Sequence, residues 1–168
     1  MAPNMTDYAA TRRAFQWSVP ETFNFAADVV DRIARKDDRP ALIWANAAGE
    51  EKVFSYSDMA RLTARFAAVL TARGIRKGDR VLIMTPRSPE WQIAMVGCLK
   101  LGAVPIPCIE MLTPKDIAYR VRHAGARAVL ARAEHAGKFK DVMDEVPVRL
   151  SIGAADGFEE LAPAMAAA

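Results

Sequence analysis

The sequence has no apolar run long enough to cross a membrane. Its most apolar stretch, residues 93–109, is interrupted by a lysine and two prolines, whereas a spanning helix needs about 20 largely apolar residues in succession. The start of the chain also lacks the apolar region of a secretory signal. Arg12 and Arg13 are of the kind found in transit peptides, but the acidic Asp7 weighs against one. We therefore predict a cytoplasmic protein without a membrane span.

Cysteine is scarce, since only Cys98 and Cys108 are present. They lie ten residues apart in apolar segments, without the CxxC spacing of zinc sites and redox motifs. We predict that both are buried, reduced thiols, as is usual in the cytosol.

Charge of neither sign dominates. Lys and Arg total 23 against 20 Asp and Glu, which gives a net charge of +3. The two signs are interspersed, for example along residues 31–38, whereas a nucleic-acid surface requires clustered positive charge and a recognisable motif. We therefore predict no nucleic-acid partner.

Motifs of nucleotide binding and nucleophilic catalysis are missing. The chain has no GxGxxG and no GxSxG sequence. At the Gly137-Lys138 pair, Arg132 stands where a phosphate loop requires its first glycine, and a phenylalanine follows the lysine. His123 and His135 have no acid or cysteine at metal-ligand spacing, so we expect both at the surface or at helix ends.

The chain does contain a regular alternation of helix and strand signals. Capping residues, prolines at first helical positions and glycine stops mark the helices, and short apolar runs mark the strands. The predicted helices are a turn around residues 6–15, then 24–36, 55–74, 89–101, 114–124, a weaker helix at 134–144, and a frayed, unanchored segment at 157–167. The predicted strands are 41–45, 51–54, 80–84, 104–106, 128–131 and 148–152.

Two of these elements predict how the chain packs. The strand at 80–84, RVLIM, has no polar alternation, which is typical of a parallel strand buried on both faces. The helix at 89–101 is apolar nearly all round, so we expect it to be buried, with Gly97 allowing a neighbouring element to approach closely.

Strand–helix–strand repeats of this length imply right-handed crossovers and a parallel sheet. We predict an α/β fold with a mainly parallel sheet and helices on both faces. The length suits one domain, at residues 21–168, preceded by an N-terminal arm at residues 1–20.

One acidic residue stands where ligands bind in such folds. Glu110 follows the strand at 104–106, and the carboxyl ends of parallel strands form the usual binding crevice. A solvated loop carboxylate is the alternative, and the sequence places no second carboxylate nearby for acid–base catalysis. Lys138 and Lys140 follow the next strand and could meet an anionic ligand.

Several segments resemble acyl-CoA synthetases of the adenylate-forming superfamily, which also contains luciferases and peptide-synthetase adenylation domains. FSYSDM at residues 54–59 and LKLGAVPIP at 99–107 resemble the first two core motifs of these enzymes. GIRKGDRV at 74–81 resembles the turn between them. PRSPEW at 86–91 and TPKDIAYRVRHAGARAVLA at 113–131 resemble the medium-chain enzymes in particular.

The resemblance implies a partial N-terminal, AMP-binding domain of an acid–CoA ligase. Such enzymes join a carboxylic acid, here a medium-chain fatty or aryl acid, to the α-phosphate of ATP and then transfer the acyl group to coenzyme A, while Mg²⁺ screens the phosphates. The family's phosphate loop, its adenine- and ribose-binding motifs and its C-terminal domain have no counterpart in this sequence. The resemblance therefore implies a truncated piece of the ligase that is inactive alone, without catalytic residues, metal ligands or a cofactor of its own.

Some relatives place coenzyme A near the loop after the second core motif and near basic residues after the following strand. The corresponding candidates in this sequence are Glu110, Met111, Leu112, Thr113, Lys138 and Lys140. Lysine suits phosphate binding, and ordinary surface lysines are the alternative.

A second interpretation is a free-standing α/β binding or interaction module that pairs with a separately encoded ligase portion. A partial domain is also expected to leave part of its sheet uncovered. We therefore predict self-association through an exposed sheet edge or an apolar patch.

Overall fold

The computed structural model describes residues 6–168 and shows helices and strands in regular alternation. The elements are α1 (Tyr8–Ala14), a π-helical segment (Ala26–Asp31) continuous with α2 (Arg32–Lys36), β1 (Pro40–Ala45), β2 (Glu51–Ser55), α3 (Tyr56–Ala72), β3 (Arg80–Met84), α4 (Pro89–Leu101), β4 (Val104–Pro107), α5 (Pro114–Ala124), β5 (Ala126–Arg132), a 3₁₀ segment (Ala133–Val142), β6 (Val148–Ile152), β7 (Glu159–Glu160) and α6 (Leu161–Ala166). Most predicted boundaries are confirmed to within one or two residues.

The predicted fold class is confirmed. Five parallel strands form one sheet in the order β4-β3-β5-β6-β7, and β1 and β2 form a separate antiparallel hairpin. Val81 and Ile83 of β3 enter the core beneath α3 and α4. Leu82 and Met84 enter the core beneath α5 and the 3₁₀ segment. Alternation of β3 between two cores explains why this strand has no polar residue after Arg80, its first position.

Two helix starts carry the capping boxes that their sequences predict. The Ser55 hydroxyl accepts the Asp58 backbone N–H, and the Asp58 carboxylate accepts the Ser55 backbone N–H. That backbone hydrogen bond is the main cause that lowers the pKa of Asp58. Thr113 and Asp116 repeat the arrangement at α5.

Helix α4 corrects the prediction of burial on all sides. It packs one face against α3, with Ile93, Ala94, Gly97 and Cys98 buried. Leu99 on another face is 38% exposed, because α4 covers the sheet from outside and has a neighbour on only part of its surface.

Two further expectations need correction. The segment predicted as a weak helix at 134–144 is a 3₁₀ segment, and Gly137 within it lowers the helical propensity. The segment at residues 157–167 is not a frayed helix. Glu159 lies in β7, which pairs with β6 at the edge of the sheet, and its carboxylate forms an ion pair with Arg73. Leu161 of α6 is buried. Long-range contacts of this kind leave no periodic signal in the sequence.

The outer edge of β4 is closed to further strands. The Val104 N–H donates to the carbonyl of Asp79, the residue before β3, and the Cys108 N–H donates to the carbonyl of Ile83 in β3. Since parallel strands direct alternate residues to opposite sides, the outward positions fall at 105 and 107, and both are prolines without an N–H. The opposite edge, β7, is only two glutamates long.

Replacement of Gly97 by alanine tests the close approach of α3 and α4. A Cβ at position 97 would lie 2.8 Å from Phe66 Cδ1 and 3.1 Å from the backbone oxygen of Thr63. We expect Gly97→Ala to lower the free energy of unfolding by about 1–3 kcal/mol in urea denaturation, the usual cost of overpacking. Gly137→Ala is the matched control, since nothing lies within 4 Å of its added Cβ. Equal stability of the two variants would contradict the close approach.

Candidate functional site

The carboxyl ends of β3, β4 and β5 form the crevice of this sheet. The chain leaves β3, adds β4 on one side and returns to add β5 on the other. At such a switch point the loops diverge and leave room for a ligand. The loops that follow these strands hold Thr85 to Ser88, Cys108 to Thr113, and the 3₁₀ segment.

Glu110 is the centre of a polar cluster in this crevice. Its carboxylate accepts both arms of the Arg132 guanidinium, at 2.6 Å from Nε and 3.1 Å from Nη2. Its backbone oxygen accepts Lys138 Nζ at 2.6 Å. The hydrogen bond that Arg132 donates to Glu110 is the main cause that raises the pKa of Arg132. Glu110 therefore ties the loop after β4 to the end of β5.

Two more residues complete the cluster. Glu134 lies 2.7 Å from Arg132 Nη2. His135 Nε2 lies 3.2 Å from a Glu110 oxygen and 3.4 Å from a Glu134 oxygen. This nitrogen is buried, yet within residues 6–168 it has no partner in hydrogen-bonding geometry. Two carboxylates beside an imidazole can act as general acid or base when a substrate is held against them.

Metal-ligand atoms of Glu110, Glu134 and His135 lie within 4.8 Å of one another. Such a donor set suits zinc in its chemistry. The Arg132 guanidinium, however, contacts both carboxylates and already supplies the positive charge. A divalent cation would have to displace it, so the arrangement fits an ion-pair network better than a metal centre.

The predicted site residues separate into groups in the structure. Glu110 and Lys138 come together, whereas Met111 points outward with 82% of its surface exposed. Leu112 is buried in the core, and Thr113 caps α5. Lys140 is exposed beyond the cluster. Their assignment to a coenzyme A site stays a prediction.

Sequence reasoning missed Arg132, Glu134 and His135. Two statements need correction: a second carboxylate does lie beside Glu110, and His135 does have acids within reach. Glu110 and Glu134 are far apart in sequence, and the parallel pairing around β3 brings their loops together. The available signal was the position of Glu134 and His135 just after β5. Glu110 was selected because it follows the carboxyl end of β4, and the same criterion applies to these two residues.

A second, apolar part of the crevice lies between the hairpin and the loops after β3 and β4. It is a cleft of about 800 Å³ whose walls include Trp44, Trp91 and Ile109. Thr85 and Ser88 also line it, and their buried hydroxyls have no hydrogen-bond partner among the described residues. Unsatisfied buried hydroxyls are uncommon in native structures.

Both cysteines are free and buried, as predicted. Burial raises the pKa of the Cys98 thiol to about 12. Burial also raises the pKa of Cys108, with a smaller opposing effect of Arg120. Neither thiol is a suitable nucleophile at neutral pH.

A comparison with protein families decides the identity of the fold. A family model described as AMP-binding enzyme matches residues 29–166. The chain belongs to the AMP-binding enzyme family. It corresponds to the N-terminal part of the family's acyl-CoA synthetases, as its motifs predict.

Curated relatives of this family member are acyl-coenzyme A synthetases. Mitochondrial acyl-coenzyme A synthetase ACSM3 of Homo sapiens is 38% identical over 134 residues, or 76% of this chain and 23% of ACSM3. The human mitochondrial ACSM4 is 35% identical over 150 residues, or 85% of this chain and 26% of ACSM4. The chain thus spans about a quarter of the length of the curated relatives it matches.

Solved structures share the fold. An acyl-CoA synthetase of Brucella canis has a TM-score of 0.82 at 24% identity, covering 98% of this chain and 31% of that protein. The inhibitor-bound N-terminal domain of FACL13 from Mycobacterium tuberculosis has a TM-score of 0.72 at 27% identity, covering 88% of this chain and 36% of that domain.

Location in the cell stays a prediction for this AMP-binding family member. Within residues 6–168, no helix is both long and apolar enough to span a bilayer. The names of ACSM3 and ACSM4 place those two relatives in mitochondria. The cytoplasmic assignment made from the sequence is therefore untested.

The burial of Cys98 and Cys108 predicts an order of thiol reactivity. We expect both to react with an aromatic disulfide reagent at pH 8 far more slowly in the native protein than in denaturant, because a raised thiol pKa leaves little thiolate. Cys108 should react before Cys98, since Cys98 is the more deeply buried. The single variants Cys98→Ala and Cys108→Ala assign each phase. Fast native labelling of Cys98 would contradict its burial.

Proposed function

We propose that this chain is the N-terminal part of an AMP-forming acid–CoA ligase that acts on medium-chain fatty or aryl acids. The complete ligase forms an acyl-adenylate from the acid and ATP with Mg²⁺, releases pyrophosphate, and then passes the acyl group to coenzyme A. The observation that carries the proposal is the family match over residues 29–166. The similarity to the acyl-coenzyme A synthetases ACSM3 and ACSM4 supports the ligase reaction. The segments at residues 86–91 and 113–131, which resemble the medium-chain enzymes, support the acid class.

The described part of the chain is proposed to be inactive alone. Binding of a triphosphate requires free backbone N–H groups, as at an open helix N-terminus or a glycine-rich loop. At α4 the first position is Pro89 and Glu90 follows, so one N–H is missing and an acid occupies the positive end of the helix dipole. At α5, Pro114 likewise lacks an N–H. The Asp116 carboxylate lies at the positive end of the helix dipole and already accepts the Thr113 N–H.

We propose that the loop of Glu110 to Thr113, with Lys138 and Lys140, lies beside coenzyme A in the complete ligase. Lys138 is held on the Glu110 backbone oxygen, which places its ammonium group at the rim of the crevice. Lys140 is exposed. Arg132 is already neutralised by Glu110 and Glu134, so among the cations at the end of β5 and in the 3₁₀ segment the two lysines remain available for a phosphate group.

An exchange assay tests whether the 168-residue chain is inactive. We expect no acid-dependent exchange of labelled pyrophosphate into ATP with purified chain, because the helix N-termini beside the crevice, those of α4 and α5, each have a proline and an acidic residue where a phosphate would need free N–H groups. A medium-chain acyl-CoA synthetase of full length, assayed in parallel, provides the positive control. Exchange that depends on both acid and chain would overturn this part of the proposal.

The coenzyme A assignment is tested in the complete ligase. We expect Lys140→Ala to raise the KM for coenzyme A by roughly threefold to tenfold, the effect of one charge-assisted contact, and to leave the KM for ATP unchanged. Lys36→Ala removes an equally exposed lysine of α2 and is the matched control. Equal effects of the two variants would exclude Lys140 from the site.

The second candidate is an interaction module that pairs with a separately encoded ligase portion. The exposed side chains of Ile109 and Met111 beside the apolar cleft favour it. The source gene distinguishes the two candidates: a reading frame that continues past residue 168 into a phosphate loop supports the ligase, whereas a stop codon there supports the module.

A further inference from the structure

A groove of about 440 Å³ lies on the side of the sheet that α3 and α4 cover. Its walls come from β2, α3, the start of α4, the end of β6 and α6. Pro89 is the one residue that it shares with the cleft beside Glu110, so the groove is a separate site. Its volume falls in the usual range of small-molecule sites, roughly 300–1,000 Å³.

The walls of this groove are mainly apolar. The large apolar side chains that line it are buried or half-buried: Phe54, Leu62, Ile93, Ile152, Leu161 and Met165. Ile93 and Leu161 belong to the core, and the other four pack against it. A concave apolar surface that the core supports is the usual frame of a small-molecule site.

Arg65 is the unusual residue of the groove. Five arginines of the described chain are half-buried, and four of them donate hydrogen bonds: Arg73, Arg80, Arg132 and Arg149. Arg65 is the fifth and lines the groove from α3, yet within residues 6–168 its guanidinium has neither a hydrogen bond nor an ion pair. A guanidinium carries N–H donors on three nitrogens, so Arg65 lacks the acceptors that a bound anion would supply.

The charges around Arg65 suit a ligand with one negative charge. Lys52 and Arg65 line the groove together with a single acid, Glu90, which leaves one positive charge in excess. Glu90 lies in the first turn of α4, where the helix dipole stabilises its carboxylate. Lys52 lies over the Trp44 ring, 5.6 Å from its centroid, so Arg65 is the cation of the groove without any partner in the described structure.

We propose that this groove binds a carboxylic acid with an apolar alkyl or aryl body. The carboxylate accepts two hydrogen bonds from the Arg65 guanidinium, the geometry in which these two groups match. The apolar body lies along Leu62 and Met165 and removes their exposed surface from water. The proposal is independent of the ligase function, because Glu110 and the other residues of its cluster take no part.

A small acid suits the groove better than a polypeptide segment does. A peptide brings backbone N–H and C=O groups that need partners, whereas most of the groove is formed by helices whose backbone groups bond internally. Lys52 and Phe54, the β2 residues of the groove, direct their backbone groups to β1. An alkyl or aryl acid has one polar group, which one guanidinium satisfies.

A two-dimensional NMR titration of the chain with octanoate tests the site. We expect the shifts of groove residues to saturate with a Kd below about 1 mM. Arg65→Gln should raise that Kd at least about tenfold, because it removes a charge-assisted hydrogen-bonding pair. Arg76→Gln is the matched control and should leave the Kd unchanged, since Arg76 is exposed and lies outside the groove.

Two further ligands separate the effect of charge from that of apolar contact. Octanol lacks the carboxylate and acetate lacks the apolar chain, so each should bind at least about tenfold more weakly than octanoate. Ala162→Phe places a large side chain in the groove from an exposed position of α6. It should weaken octanoate binding while the circular dichroism spectrum stays native, which keeps the test decisive if Arg65→Gln disturbs the fold.

Three results would overturn the proposal. The resonances of groove residues could stay unshifted up to about 10 mM octanoate, a concentration at which any specific site would fill; the groove would then be left to a polypeptide. Octanoate could instead shift the resonances around Glu110, which would place the acid in the crevice. Finally, Arg65→Gln could bind octanoate as tightly as the natural chain, which would exclude Arg65 as the carboxylate's partner.

Discussion

The central position of β3 is the constraint on which the rest of the structure depends. It pairs with β4 on one side and β5 on the other, and its side chains alternate between two cores. Every side chain of this strand must therefore be apolar, or long enough for its polar group to reach the end of the sheet. Arg80 is of the second kind, since its guanidinium donates to the Ala124 and Gly125 carbonyls. The same two-sided pairing creates the switch point at which the loops diverge.

Glu110 converts that topology into an organised site. It lies on the loop after β4 and receives Arg132 and Lys138 from β5 and the segment that follows. The cluster is partly buried, where ion pairs are less screened than at the surface. Its charges are largely matched internally, which is consistent with a role in holding two loops together at the rim of a binding crevice.

How well sequence predicted structure depended on the range of the interactions. Capping boxes at Ser55 and Thr113 and the parallel strand at residues 80–84 were predictable, because each is a pattern of neighbouring residues. Glu134 and His135 were not associated with Glu110, since only the pairing of β5 beside β3 brings them together. The anchoring of the last helix was missed for the same reason.

The sequence by itself determined the α/β class, most element boundaries and the family resemblance, because these reside in local periodicity, helix punctuation and ordered motifs. Only the tertiary structure decided which face of α4 is buried, which charges neutralise Glu110, and which strand edges remain open. Those features arise from contacts between distant segments. Proline at residues 105 and 107 illustrates the difference: the sequence shows both residues, but only the register of β4 against β3 directs their missing N–H groups outward.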